Sequence, residues 1–260
     1  MINLSDSEYE NIFNSIEKFT KGALHLFALK NLDIKEIIIR NFIAKSFSLL
    51  NSILLLQQSR QFGESTILYR TLVERFVYLK YIIDNKLYKE FDDWSYVKNF
   101  ERRNNFRSYP EFNNDIKRDF LKDEKSQIER YERLKKEKTK WIEPDIEAYL
   151  KKIDLKYLYK LSYDLGSSYV HPRADEGHFD TMRLTGLKNE NEWIYKPILH
   201  NSILLNVAIL QIGLLNVELF NEQSVVTYCE KILKHLSNEE HIQNLDTLTK
   251  TCTIGLIKGK

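Results

Sequence analysis

Two stretches of the sequence hold residue types that could do chemistry. The first is Arg70 with Glu74 in "YRTLVERF", a cation and a carboxylate four residues apart, which on a helix share one face. The second is "SSYVHPRADEGHFD", Ser167 to Asp180, which gathers two histidines, three carboxylates and an arginine in fourteen residues. A guanidinium can hold an anion and a carboxylate beside it can orient it. His171, with an ordinary pKa near 6.5, can exchange a proton close to neutrality. Pro172 ends the helix that carries Ser167, Ser168 and His171, so the motif divides there. Its right half, with His178, reads as the start of a polar loop.

Other chemistries fit these residues less well. A helical projection at 100° per residue puts Tyr157, Lys160, Asp164, Ser167 and His171 on one stripe, opposite Leu155, Leu158, Leu161, Leu165 and Tyr169. Asp, Ser and His then share a face, but a serine nucleophile needs a sharp elbow and an oxyanion hole, whereas a serine within a helix bonds its own preceding carbonyl. His171 and His178 straddle a proline without HExxH or EF-hand spacing and without cysteine, so no metal is expected, and no cofactor. His25, His200, His235 and His241 are single histidines in helical context.

These residues must be positioned by helices. Ser5 to Glu8 is a capping box that opens a helix to about Lys30, and Asp33 to Glu36 is a second one before the apolar run "IIIRNFIAKSFSLLNSILLLQQ". The segment Glu64 to Asp84 carries apolar stripes on two sides, Leu68, Leu72, Phe76, Leu79 and Ile83 on one, Val73, Val77 and Tyr81 on the other. It is therefore expected at the centre of the fold, with Arg70 and Glu74 substantially buried on its second stripe. Lys86 to Arg107 is more polar. Asn113 to Lys140 reads as a long exposed helix with opposite charges at i,i+4, such as Glu129 with Arg133. Asp145 to Lys151 is a short helix, and Asp154 is expected to cap the helix that runs to His171. Asp175 to Pro197 is expected as a long loop. "ILHNSILLNVAILQIGLLNVELF" is a further apolar helix, too often interrupted by Asn and Gln for a bilayer. Gln223–Leu236 and Asn238–Thr249 complete the set, with 250–260 as a loose tail.

Composition agrees with that reading. Eight glycines and four prolines in 260 residues are too few for a many-stranded β fold. The expectation is one all-α domain over residues 1–260, a helical bundle with a long charged helical excursion at 113–140 and one long loop. A net charge of +2 leaves no global field for nucleic acid. Cys229 and Cys252 lie far apart with no paired spacing, and the start "MINLSDSEYE" is unlike a secretory signal, so the cytoplasm is the expected compartment, with no membrane partner.

The run Arg70 to Ile82, "RTLVERFVYLKYI", followed about ninety residues later by "Y-x-x-G-S-S-Y-V-H-P" from Tyr163 to Pro172, resembles an uncharacterised bacterial helical family, domain of unknown function 5677. The resemblance covers about residues 33–220. That family in turn resembles HEPN (higher eukaryotes and prokaryotes nucleotide-binding) domains, many of them metal-independent ribonucleases of toxin–antitoxin and phage-defence systems. It implies RNA or a nucleotide as ligand, a homodimer, and an antitoxin or defence-system partner. HEPN domains carry Arg and His on one helix, four to six residues apart. No arginine precedes His171 at that spacing. The resemblance therefore implies that Arg70 supplies the guanidinium from another helix, that Glu74 orients it, and that Ser167 or Ser168 bonds the His171 imidazole. The alternative is a non-catalytic nucleotide-binding or regulatory module in which Arg70, Glu74 and His171 form a structural polar network.

Overall fold

Both capping boxes form. Ser5 Oγ accepts the Glu8 backbone N–H at 3.3 Å while Glu8 takes the Ser5 N–H at 2.7 Å, and Asp33 exchanges the same pair of bonds with Glu36. They open α1 (Asp6–Ala28) and α2 (Ile34–Gln58). The computed structural model describes residues 4–108, 125–138, 140–169, 177–186 and 196–257, with backbone alone at 106–108, 168, 178, 179 and 183. Along it follow α3 (Phe62–Asn85), α4 (Tyr88–Ser108), α5 (Lys125–Glu137), α6 (Ile146–Lys152), α7 (Lys156–Tyr159), a π-helical turn (Lys160–Asp164) and α8 (Leu165–Ser168). The chain ends with α9 (His178–Leu184), α10 (Lys196–Leu215), α11 (Glu222–Leu236) and α12 (Leu245–Ile254). Among the described residues the only β pairing is the isolated bridge between Phe220 and Ile257, so the fold is all-α.

With so few glycines, helices end on other residues. Arg60, Lys86, Lys138, Asp154 and Asn238 all adopt positive φ, between 53° and 59°, just past a helix. Around four of them the backbone closes in the same way: Gln61 to Leu56, Leu87 to Ile82, Leu155 to Leu150 and Glu239 to Lys234, each N–H reaching back five residues. These are Schellman closures, which satisfy carbonyls that the helix end leaves free. Asp154 thus ends α6 instead of capping the next helix; the N-cap of α7 is Leu155, with no side-chain bond.

The chain divides into two compact units, Met1–Tyr81 with Pro144–Lys260 and Ile82–Glu143, where the sequence suggests one domain. In the first unit α10 packs on α2, and Gly213 permits the approach: a Cβ there would stand 3.1 Å from Ile39 Cγ2 and Ile43 Cδ1. On α1, Phe19 stacks on Tyr228 of α11 with ring centroids 3.8 Å apart. Below it Ser15 Oγ bonds the Tyr228 hydroxyl at 2.9 Å and Thr249 Oγ1 of α12 at 2.7 Å. The last residues are not a loose tail up to Ile257. α12 continues to Ile254, Leu256 is fully buried and its carbonyl accepts the Asn221 N–H at 2.8 Å, while Ser224 donates to the Gly255 carbonyl.

In the second unit α4 and α5 form a hairpin built on aromatic contacts. Phe100 stacks on Tyr131 at 4.1 Å, and Arg130 lies over Tyr96 while reaching Asp92 at 2.6 Å and Asp93 at 3.3 Å. Within the described residues of the charged excursion the helix runs over Lys125–Glu137, mostly exposed but anchored by buried Leu134. The expected long loop also differs, since α9 interrupts it between Gly177 and Gly186, both at positive φ.

α2 and α10 are long and apolar enough to cross a membrane, yet 50% and 56% of their most apolar windows are buried inside the protein. They are built as core helices that cover each other.

Candidate functional site

Arg70 and Glu74 lie one turn apart on α3, in the stretch where α7, the π-helical turn and α8 run alongside it. One of the two glycines here is required by that approach. A Cβ at Gly166 would meet the Thr66 carbonyl oxygen and Arg70 Cβ at 3.5 Å, and one at Gly63 would come within 2.8 Å of Tyr169 Cδ1. The first distance is ordinary contact and the second is a clash, so Tyr169 is seated on the bare backbone of Gly63.

The π-helical turn has a local partner. The fully buried Ser162 donates to the Leu158 carbonyl at 2.6 Å and to that of Tyr159 at 3.3 Å, competing with the α-helical ladder where the helix widens. The wider turn rotates the side chains beyond it away from the positions of a straight projection. Ser162 and Gly166 are buried, Asp164 is exposed, and Tyr163 and Ser167 face α3. Ser167 Oγ is engaged by Arg70, while Asp164 is exposed.

At the centre, Arg70 Nε donates to Glu74 Oε1 at 3.3 Å and Arg70 Nη1 donates to Ser167 Oγ at 3.3 Å. The Tyr163 hydroxyl donates to the same Glu74 Oε1 at 2.6 Å. The guanidinium carbon stands 4.1 Å from the Tyr163 ring centroid, a cation–π contact, and Tyr159 stacks on the same ring with centroids 4.5 Å apart. Burial and the hydrogen bond to Glu74 push the Tyr163 pKa well above the usual phenol range, so its hydroxyl remains a proton donor.

Arg70 and Glu74 are not substantially buried: their side chains are 30% and 36% exposed. On the same stripe Val73 and Val77 are fully buried, whereas these two charged heads are not. The charges are held in place and still open to a solute.

Of the expected site residues, Arg70, Glu74 and Ser167 come together. His171 lies outside the described residues, as does the Ser168 side chain. Tyr163 joins them, bonding Glu74 and stacking on Arg70, a role that helical projection does not assign to it. The signal that could have found it is its i,i+4 spacing to both Tyr159 and Ser167.

Elsewhere, His200 is buried and meets the Tyr9 hydroxyl through Nδ1 at 3.2 Å. A polar cleft of about 560 Å³ opens beside α1 and the start of α12, lined by Glu8, Ser15, His235 and Thr249 among others. Its floor hydroxyls are already bonded to one another, which makes the floor structural. Among the described residues no group of three or more His, Cys, Asp and Glu side chains converges.

A family model described as a family of unknown function (DUF5677) matches residues 36–181, more than half of the chain, and that span includes every member of the Arg70 cluster. No curated protein and no solved structure matches.

Proposed function

The chain belongs to the family of unknown function DUF5677, and from that footing we propose that it is a HEPN-like, metal-independent ribonuclease, a toxin-type effector of bacterial phage defence. The observation that supports this reading is the Arg70–Ser167 hydrogen bond. It draws a part-exposed guanidinium from α3 to the face of α8 that lies one turn before His171 in sequence. That is the cross-helix pairing which the missing arginine near His171 requires.

In this reading His171 takes the proton of a ribose 2′-hydroxyl as its oxygen attacks the adjacent phosphorus. The new 2′-O–P bond replaces the P–O5′ bond, leaving a cyclic phosphate, and the 5′-oxygen departs with a proton returned by the imidazolium or by water. Arg70, preset by Glu74 and the Tyr163 ring, stabilises the charge that builds on the phosphoryl oxygens. Ser167 or its neighbour Ser168 hydrogen-bonds the imidazole in this reading. The protein would work in the cytoplasm as a homodimer, restrained by an antitoxin or another defence-system component.

The test is cleavage of RNA in the presence of EDTA by the wild type, Arg70→Ala and His171→Ala. The expected result is cleavage that survives EDTA and drops about 100-fold or more in either variant, the usual scale for removing an acid–base or charge-stabilising group. Equal cleavage by His171→Ala rules the reading out.

One observation favours a second reading, a non-catalytic nucleotide-binding or regulatory module. Arg70, Glu74, Tyr163 and Ser167 bond one another, as a clasp joining α3 to α8 would. In that case Arg70→Ala lowers stability and no RNA is cut by any form.

A further inference from the structure

Glu74 is fixed through one oxygen only. Oε1 accepts both the Tyr163 hydroxyl and Arg70 Nε, whereas Oε2 receives no hydrogen bond among the described residues. Arg70 is used in the same lopsided way: Nε donates to Glu74, Nη1 donates to Ser167, and Nη2 has no acceptor among the described residues. A carboxylate offers about two lone-pair sites on each oxygen, and each terminal guanidinium nitrogen carries two N–H donors. Both side chains are about a third exposed. The Tyr163 ring against Arg70, itself stacked with Tyr159, and the short Tyr163–Glu74 bond restrict both heads, so the open valences belong to groups that are already oriented.

The cluster therefore presents an anionic acceptor beside a cationic donor. A bare phosphate satisfies the donor but is repelled by the carboxylate. A ligand that satisfies both must carry a hydroxyl donor next to an anionic acceptor. A ribonucleotide has that pair in its 2′-hydroxyl and 3′-phosphate, and a deoxynucleotide lacks the hydroxyl.

Resting on the ribonuclease reading, we infer that in the bound complex Glu74 accepts the 2′-hydroxyl through Oε2 while Arg70 Nη2 holds the neighbouring phosphate; the hydroxyl turns its one proton from Glu74 to His171 as the reaction begins. Glu74 then serves as the residue that makes the site choose RNA over DNA, beyond its role in orienting Arg70.

The experiment measures binding of the full chain by fluorescence anisotropy to single-stranded oligonucleotides of one sequence, as RNA, 2′-O-methyl RNA and DNA. All proteins carry His171→Ala so that RNA is not consumed. With Glu74 intact, RNA binds about ten-fold more tightly than either analogue, the factor of one charge-assisted hydrogen bond. With Glu74→Gln the ratio falls several-fold towards one, while DNA affinity holds or rises because the repulsion is gone. Glu74→Ala behaves alike, and retained DNA binding shows that each variant is folded. Equal affinity for RNA and DNA with Glu74 intact, or an RNA preference unchanged in both variants, overturns the assignment and leaves a phosphate-binding site standing. Absence of binding to all three ligands overturns this assignment together with the ribonuclease reading.

Discussion

At the residue scale, the site depends on how many bonds meet at one oxygen. Glu74 Oε1 is shared by a phenol and a guanidinium, so deleting either donor loosens the other group as well. Tyr163→Phe keeps the ring over Arg70 and removes only the hydroxyl. A hydrogen bond to a charged group is worth about 1.5–3 kcal/mol when protected; with Glu74 a third exposed, water replaces part of it, and a loss of about 1 kcal/mol is expected from urea denaturation. A change within a few tenths would mean that water serves Glu74 equally well. His200 gives a pH signature of its own. Burial pushes its pKa below the ordinary value, so the folded protein resists a proton that the unfolded chain takes near pH 6.5. The stability tied to neutral His200 is complete above about pH 6.5 and is lost progressively as the pH falls through that value towards the folded pKa. The urea midpoint should therefore drop between pH 7 and pH 5 more steeply in the wild type than in His200→Gln. Parallel pH profiles would show that His200 titrates alike in both states.

At the scale of elements, five helix ends close on a residue other than glycine at positive φ. Lys86 sits at φ 55°, closing α3 with the Leu87 to Ile82 bond. The left-handed conformation costs a residue with a Cβ about 1–2 kcal/mol. Lys86 is exposed, so Lys86→Gly removes that strain without losing packing. The gain expected is about 1 kcal/mol, less the entropy that glycine recovers when unfolded. A destabilised variant would show that the lysine stem packs usefully on α3. Local chemistry also explains why the stretch before Pro172 departs from one straight helix: its π-helical turn and Ser162 back-bond change the register that a 100° projection assumes.

For the molecule as a whole, the C-terminal residues complete the first unit. Residues 250–257 place Cys252 and Leu256 in the core and tie α12 to the start of α11 through the Asn221 and Ser224 bonds. Leu256→Ala empties a fully buried site at the end of this segment and should cost about 2–5 kcal/mol. Thermal unfolding beside the wild type measures it; an unchanged melting temperature would show that the residues after α12 do not support the core.

The sequence by itself determined what short-range physics controls. The capping boxes at Ser5 and Asp33 start helices because their bonds span three residues. Scarce Gly and Pro left an all-α fold as the solution, and the four-residue spacing put Arg70 and Glu74 on one face whatever surrounded them. Only the tertiary contacts decide that Ser167 turns to Arg70, that Tyr163 stacks on Arg70 and bonds Glu74, that the pair stays open to solvent, and that 250–257 close the core. Those outcomes depend on contacts between groups far apart in the chain, as Arg70 and Ser167 are. Through them Gly63 seats Tyr169 on its bare backbone, which leaves no mark in helical periodicity.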